Sequence, residues 1–172
     1  MEGKIDHSGF GAAVLKVCEI QGETGLFFGG RGGWVLNHTV VVGAGIYGLI
    51  NRIKAKGIGP AGRHELSVTL TCLEFEYVVN SPKLIHYSFY AGIGGGNVEY
   101  IDVQRHFDYD YDATDAFFVA EPGANVILNV TTFFRLAVGA SYRFVSGVEK
   151  EGLRNSDFDG PSANLTLKFG KF

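Results

Sequence analysis

Between Phe133 and Val145 the chain alternates with a period of two: Phe134, Leu136, Val138, Ala140, Tyr142 and Phe144 share one parity, and Arg135, Ala137, Gly139, Ser141 and Arg143 the other. Successive side chains point to opposite faces in a β-strand, so the run predicts a strand with one apolar face and one small or charged face. The pattern recurs along the chain. Leu165, Leu167 and Phe169 oppose Asn164, Thr166, Lys168 and Gly170, and Leu66, Val68, Leu70 and Cys72 oppose Ser67, Thr69 and Thr71. Ile85, Tyr87, Phe89, Ala91 and Ile93 oppose His86, Ser88, Tyr90, Gly92 and Gly94. Leu26, Phe28 and Trp34 oppose Gly29, Arg31 and Gly33; Val40, Val42, Ala44 and Ile46 oppose Gly43, Gly45 and Tyr47; Val126, Leu128 and Val130 oppose Asn125 and Asn129. Ser8 to Ile20 completes a set of eight strands, with its own parity undecided.

The rest of the composition agrees with strands. The 25 glycines are about twice the usual share, and they accompany 14 Phe and 8 Tyr, a pairing that suits a curved sheet rather than a flexible linker. No run approaches the roughly 18 apolar residues of a transmembrane helix, which leaves a soluble β-protein or a membrane barrel. At 172 residues one domain is expected over 1–172, with residues 1–7 a flexible N-terminal segment. A net charge of -3 with scattered Lys and Arg speaks against nucleic acid as a partner. Cys18 and Cys72 lack the spacing of a zinc site or a disulfide framework and read as apolar fillers. The N-terminal MEGKIDHSGFG has no apolar signal region, so an envelope protein would be present here as a mature chain without its signal peptide.

Short connections alternate with longer ones. Asn37 to Thr39, Asn80 to Lys83 and Val130 to Thr132 are tight, whereas Arg52 to Arg63, Arg105 to Asp115 and Glu149 to Pro161 are long, with Gln21 to Gly25 on the same side as the long ones. Tight turns at one end of an even-stranded barrel and long polar loops at the other is the outer-membrane layout, with the tight end periplasmic. A soluble barrel turns its apolar parity inward and a membrane barrel turns it outward. Here the polar parity is rich in Gly, Ser, Thr and Asn rather than the Lys and Glu of a solvated surface, which assigns it to a cramped interior and the apolar parity to lipid. Phe10, Trp34, Tyr77, Tyr100, Phe117, Phe118, Phe133, Phe134 and Phe172 near strand ends are expected to form the interfacial girdles. Pro122 is expected in a bulge toward the loop end of its strand, since a closed barrel has no free edge to place it on.

Eight strands, alternating loop lengths and a terminal LTLKFGKF ending in Phe172 resemble the small outer-membrane barrels of the OmpA, OmpX and OmpW group. Aromatic or apolar residues usually alternate back from the last position in that group, where this chain has Gly170 and Lys168. The resemblance implies an all-β fold, an eight-stranded antiparallel up-and-down transmembrane β-barrel in the bacterial outer membrane. Its partners would be outer-membrane lipid and lipopolysaccharide, and an envelope protein reached through the loops. A structural or interaction role is expected, with no wide pore, no catalysis and no cofactor. The alternative is an OmpW-like passage for small hydrophobic molecules, which needs a dry cavity at the outer mouth. A soluble ligand-binding barrel is a further reading, open to test by solubility without detergent.

Several side chains carry candidate chemistry. Glu121, Arg143, Arg135, Arg31, Asn125 and Asn129 fall on the interior parity, and a hairpin register that sets Asn129 opposite Arg135 also sets Glu121 opposite Arg143. This predicts an internal polar network with a buried Glu121–Arg143 pair, and Arg31 facing Gly45 across its own hairpin. His86 and Ser88, two apart on one face, have the spacing of a base and a nucleophile, and a lipid A deacylase of barrel fold uses a His-x-Ser arrangement. That chemistry belongs near the outer leaflet, whereas His86 follows a periplasmic turn and Phe89 stands where Asn is usual, so an interior histidine is expected. Asp108, Asp110, Asp112 and Asp115 crowd one loop as the only candidate cation ligands, without the Gly and Glu of a calcium loop.

Overall fold

The structure is a computed structural model that describes residues 7–55, 64–102 and 115–172. Eight strands, β1 (His7–Ile20), β2 (Glu23–Leu36), β3 (Val40–Leu49), β4 (His64–Val79), β5 (Ile85–Asp102), β6 (Asp115–Asn129), β7 (Phe134–Ser146) and β8 (Gly160–Gly170), pair antiparallel in sequence order and close into a barrel. His7 opens β1, and the rest of the expected flexible segment lies outside the described residues. The turn ending β1 is tighter than expected, only Gln21 and Gly22, and both adopt the positive φ that a two-residue hairpin needs.

The stagger of the barrel can be read from its pairing. From Ser8 the partners run through Val35, Val41, Glu76, Tyr90, Gly123, Ser141 and Ser162 and return to β1 at Cys18, ten residues beyond the start. With eight strands that stagger tilts them by roughly 40° and leaves an interior that side chains fill. On β7 the outward residues from Phe134 to Phe144 then span about 25 Å along the axis, the height of a bilayer's apolar band.

The outward parity is apolar where it meets that band. Trp34 is 69% exposed, Leu73 62%, Phe133 61% and Phe89 60%, and Ile46, Phe75, Tyr87 and Phe144 lie open beside them. A water-soluble barrel would bury such a surface, so the soluble reading is overturned. Trp34, Tyr77, Phe118 and Phe133 face outward as expected of girdle residues. Phe117 is instead buried inside the barrel, Tyr100 packs against that interior cluster, and Phe10 and Phe172 close the turn end over Val35, Val41 and Val78. Phe172 belongs with Gly170 and Lys168 on the inward parity of β8, while Phe169 points out at 50% exposure.

On β4 the expected facing is reversed over half the strand. Leu66, Val68, Leu70 and Cys72 point inward and are buried, and Ser67, Thr69 and Thr71 are on the outer wall. Past Cys72 the apolar residues change parity: Leu73, Phe75 and Tyr77 face out, and Glu74 and Glu76 face in. No bulge intervenes, since the β4–β5 pairing is continuous from His64↔Asp102 to Val79↔Tyr87. Toward the loops the inward side chains of β4 join the apolar interior cluster, and toward the turns they join an ion cluster. An apolar inward residue gains by burial in the first, and a charged one gains by pairing in the second.

Pro122 also departs from expectation. It sits at the midpoint of β6 rather than toward the loop end, and Gly123↔Ser141 and Ala120↔Phe144 hold one register on either side, so no residue is inserted and there is no bulge. The ladder to β7 is interrupted at Glu121 and Pro122, while the ladder to β5 runs on through Ala91↔Pro122.

Candidate functional site

The barrel interior is layered along its axis. At the turn end, the β4–β5 connection folds over the opening. Asn129 Nδ2 donates to the carbonyls of Ser81 (2.9 Å) and Lys83 (2.7 Å), and Arg135 Nη2 donates to Ser81 Oγ (3.2 Å) with its guanidinium 4.1 Å from the centre of the Phe172 ring. Asn129 is paired across the hairpin with Arg135.

Above this lies a first ion cluster. Arg31, on β2 and opposite Gly45, donates to Glu74 Oε2 at 2.6 Å and to Glu76 Oε2 at 2.9 Å. Lys168 of β8 donates to both oxygens of Glu76 at 2.7 Å, Ser88 Oγ donates to Glu76 Oε1 at 2.6 Å, and Tyr47 donates its hydroxyl to Glu74. Glycine at 45 makes this possible, because a Cβ there would stand 2.5 Å from the Tyr47 hydroxyl and 2.9 Å from Glu74 Oε1. A second cluster follows toward the loops. Glu121 accepts from Lys16 (2.9 Å), Ser141 (2.8 Å) and Arg143 Nε (3.3 Å), and Arg143 Nη1 reaches Cys18 Sγ at 3.7 Å. Arg143 also lies over the Phe27 ring, 4.9 Å from its centre, and Lys16 over Tyr47 at 4.1 Å. Each carboxylate is thus met by more than one cation or hydroxyl, the condition under which charges persist in a low-dielectric interior.

The loop end is apolar within. Phe27, Leu70, Val68, Val98, Phe117, Val119 and Val145 form one cluster with Ile53, Leu153 and Phe158 of the connections, and Phe158 stacks on Phe117 with ring centres 5.4 Å apart. The connection after β7 is tied down over this core. Asp115 Oδ2 accepts from the backbone N–H groups of Glu149 (2.7 Å) and Lys150 (2.8 Å), Tyr100 donates its hydroxyl to the Glu151 carbonyl (2.8 Å), and Asp159 Oδ1 accepts from Val145 N–H (2.5 Å).

Among the residues singled out from sequence, Glu121, Arg143, Arg135, Arg31 and Asn125 have buried side chains and Asn129 is half-buried; Asn125 Nδ2 donates to Ser88 Oγ at 3.2 Å. They fall into the separate groups above rather than one network. Four further members are Lys16, Glu74, Glu76 and Lys168. The parity of β1 was open, which hid Lys16, and the phase change at Cys72–Leu73 hid the two glutamates, although Glu74-Phe75-Glu76-Tyr77 alternates plainly. His86 Nδ1 lies 3.1 Å from the Lys83 carbonyl, and Ser88 gives its proton to Glu76 instead of to His86. Histidine is therefore not the base of that serine. Asp115 spends one oxygen on the loop, and Asp108, Asp110 and Asp112 lie outside the described residues. Among the described residues no three His, Cys, Asp or Glu converge as metal ligands.

No family model and no curated protein matches the sequence. Solved structures do match. Neisserial surface protein A is 13% identical over 96% of this chain and 97% of that one, with a TM-score of 0.59. Ail, the attachment invasion locus protein of Yersinia pestis, is 13% identical over 95% and 96%, with a TM-score of 0.50; in complex with the heparin analogue sucrose octasulfate it is 12% identical over the same shares, with a TM-score of 0.51. The likeness is one of fold. This chain has the fold of the small eight-stranded outer-membrane β-barrels.

Proposed function

We propose that the protein resides in the bacterial outer membrane as an integral barrel with a structural or interaction role, exerted through the connections at Arg52 to Arg63, Arg105 to Asp115 and Glu149 to Pro161. The observation that carries this reading is the filled interior. Two ion clusters cross the barrel, the apolar core above them is capped by Ile53, Leu153 and Phe158, and the cavity between the clusters measures about 10 Å³. No water-filled path of ionic dimensions passes such a section. The outward band supplies the contact with lipid and lipopolysaccharide, and the loops supply the surface for an envelope partner.

Passage of small hydrophobic molecules ranks second. It has in its favour the apolar lining of the outer mouth, and against it that Phe158 and Leu153 occupy that mouth at 2% and 7% exposure. The polyanion recorded with Ail is not carried over, because the open groove of about 430 Å³ at the loop end sets Glu19, Asp157 and Asp159 around Arg154.

Reconstitution in planar bilayers tests the first reading, with no current steps above the lipid background expected. Stable conductance of porin size would overturn it. Uptake of an apolar solute into proteoliposomes, rising when Phe158 is replaced by Ala, would move the second reading ahead of the first.

A further inference from the structure

Among the described residues three features remain beside the ion pairs. The thiols of Cys18 and Cys72 are enclosed and carry no ligand geometry. The groove beside Arg154 is open and mostly acidic. The third is a small space inside the barrel, and it is bordered by side chains with polar atoms that lack partners among the described residues.

That cavity, about 10 Å³, lies between the ion clusters and is bordered by Arg31, Asn125, Glu74, Tyr90, Asn164 and Thr166. Arg31 uses Nη1 and Nη2 on Glu74 and Glu76, yet its Nε has no acceptor among the described residues, and its side chain is only 7% exposed. Asn125, 4% exposed, spends Nδ2 on Ser88 Oγ, and its Oδ1 has no donor among the described residues. One orphan is a donor held by a cation and the other is an acceptor, and both residues border the same space. Buried polar atoms without partners are costly, and a polar cavity of about one probe sphere holds one water.

We propose that a single water molecule is a built-in part of the barrel, accepting from Arg31 Nε–H and donating to Asn125 Oδ1. Its size and its surroundings select water over an ion. Arg31 and Lys16 repel a cation from this space, Glu74 repels an anion, and the volume admits neither with a hydration shell. The bridge links Glu74 and Glu76, through Arg31, to Asn125 and so to Ser88, which already donates to Glu76. A closed ring of donors and acceptors results, passing from β2 through the water to β6 and back by way of β5 and β4. Because the apolar cap lies above and the turn-end residues lie below, this water exchanges with solvent only when the barrel opens.

Nuclear magnetic resonance of the full chain in detergent micelles tests this through the Arg31 Hε proton. A cross-relaxation peak to water, with the sign of a long-lived complex, is expected for the wild type. Asn125→Leu, which fills the space and withdraws the acceptor, is expected to abolish it. Absence of the peak in the folded wild type would overturn the proposal, as would a peak unchanged in Asn125→Leu. A crystal structure of the wild type supplies the same answer if that variant does not fold. Density within about 2.7–3.2 Å of both atoms is expected, and an Arg31 Nε turned to a protein acceptor would overturn the bridge.

Discussion

The ammonium of Lys168 on β8 meets both carboxylate oxygens of Glu76 on β4 at 2.7 Å. In a barrel of eight sequentially paired strands, β4 and β8 stand on opposite sides, so this pair crosses the interior. Arg31 enters the same carboxylate from β2. The closure of the barrel is thus supported through its middle as well as around its wall.

Glu76→Ala is expected to destabilise the folded barrel by about 3–5 kcal/mol, because Lys168 stays enclosed without a counter-charge and Arg31 loses one of its two. Lys168→Met in the same chain should return part of that loss. Urea unfolding in detergent, run as a double-mutant cycle, measures both.

The phase change on β4 predicts an unequal response to charge two turns of the pleat apart. Leu73→Arg puts a cation into the lipid band and should cost about 2–4 kcal/mol, whereas Thr69→Arg lies near the outer limit of the band and should cost about 0–1 kcal/mol. Equal losses, measured by equilibrium unfolding in lipid vesicles, would contradict a band that ends near Thr69.

Inward and outward glycines should separate cleanly. Gly45→Ala drives a methyl against the Tyr47 hydroxyl and Glu74, and is expected to lower stability. Nothing stands within 4 Å of a Cβ at Gly11 on the outer wall, so Gly11→Ala should be neutral or stabilising by about 0.5–1 kcal/mol. Shifts of opposite sign in the denaturation midpoint are the expected readout.

Cys18 and Cys72 are both buried, at the level of the Glu121 cluster and just outside it. Neither thiol should react with a maleimide in the folded barrel, and both should react after denaturation. Labelling of the folded protein, followed by mass, would mean that the outer mouth opens to solvent.

Much of the architecture follows from local pattern. Alternation depends only on the period of a strand, and the turn chemistry at Gln21-Gly22 and at Asn37 and His38, all with positive φ, is equally local. The Asn129↔Arg135 register follows from one tight turn and one shared parity, and Glu121 and Arg143 meet for the same reason. Pro122 stands at mid-strand because only the ladder to β7 is interrupted, at Glu121 and Pro122, while the ladder to β5 runs on, and residue type alone does not show which side holds.

By itself the sequence determined the strands, their number, the up-and-down order and, for most of the chain, which parity meets lipid. The tertiary structure alone decided where along the axis that rule reverses, since burial depends on what surrounds a residue and not on its neighbours in the chain. Leu70 and Phe75 are both apolar residues of β4, yet one lies inside the barrel and the other outside, because Leu70 is at the level of the apolar interior cluster and Phe75 is flanked by the inward carboxylates of Glu74 and Glu76. It also decided the partners. Lys168 and Glu76 are 92 residues apart and meet only once the stagger of closure brings β4 and β8 to the same depth, a geometry that no period in the chain encodes.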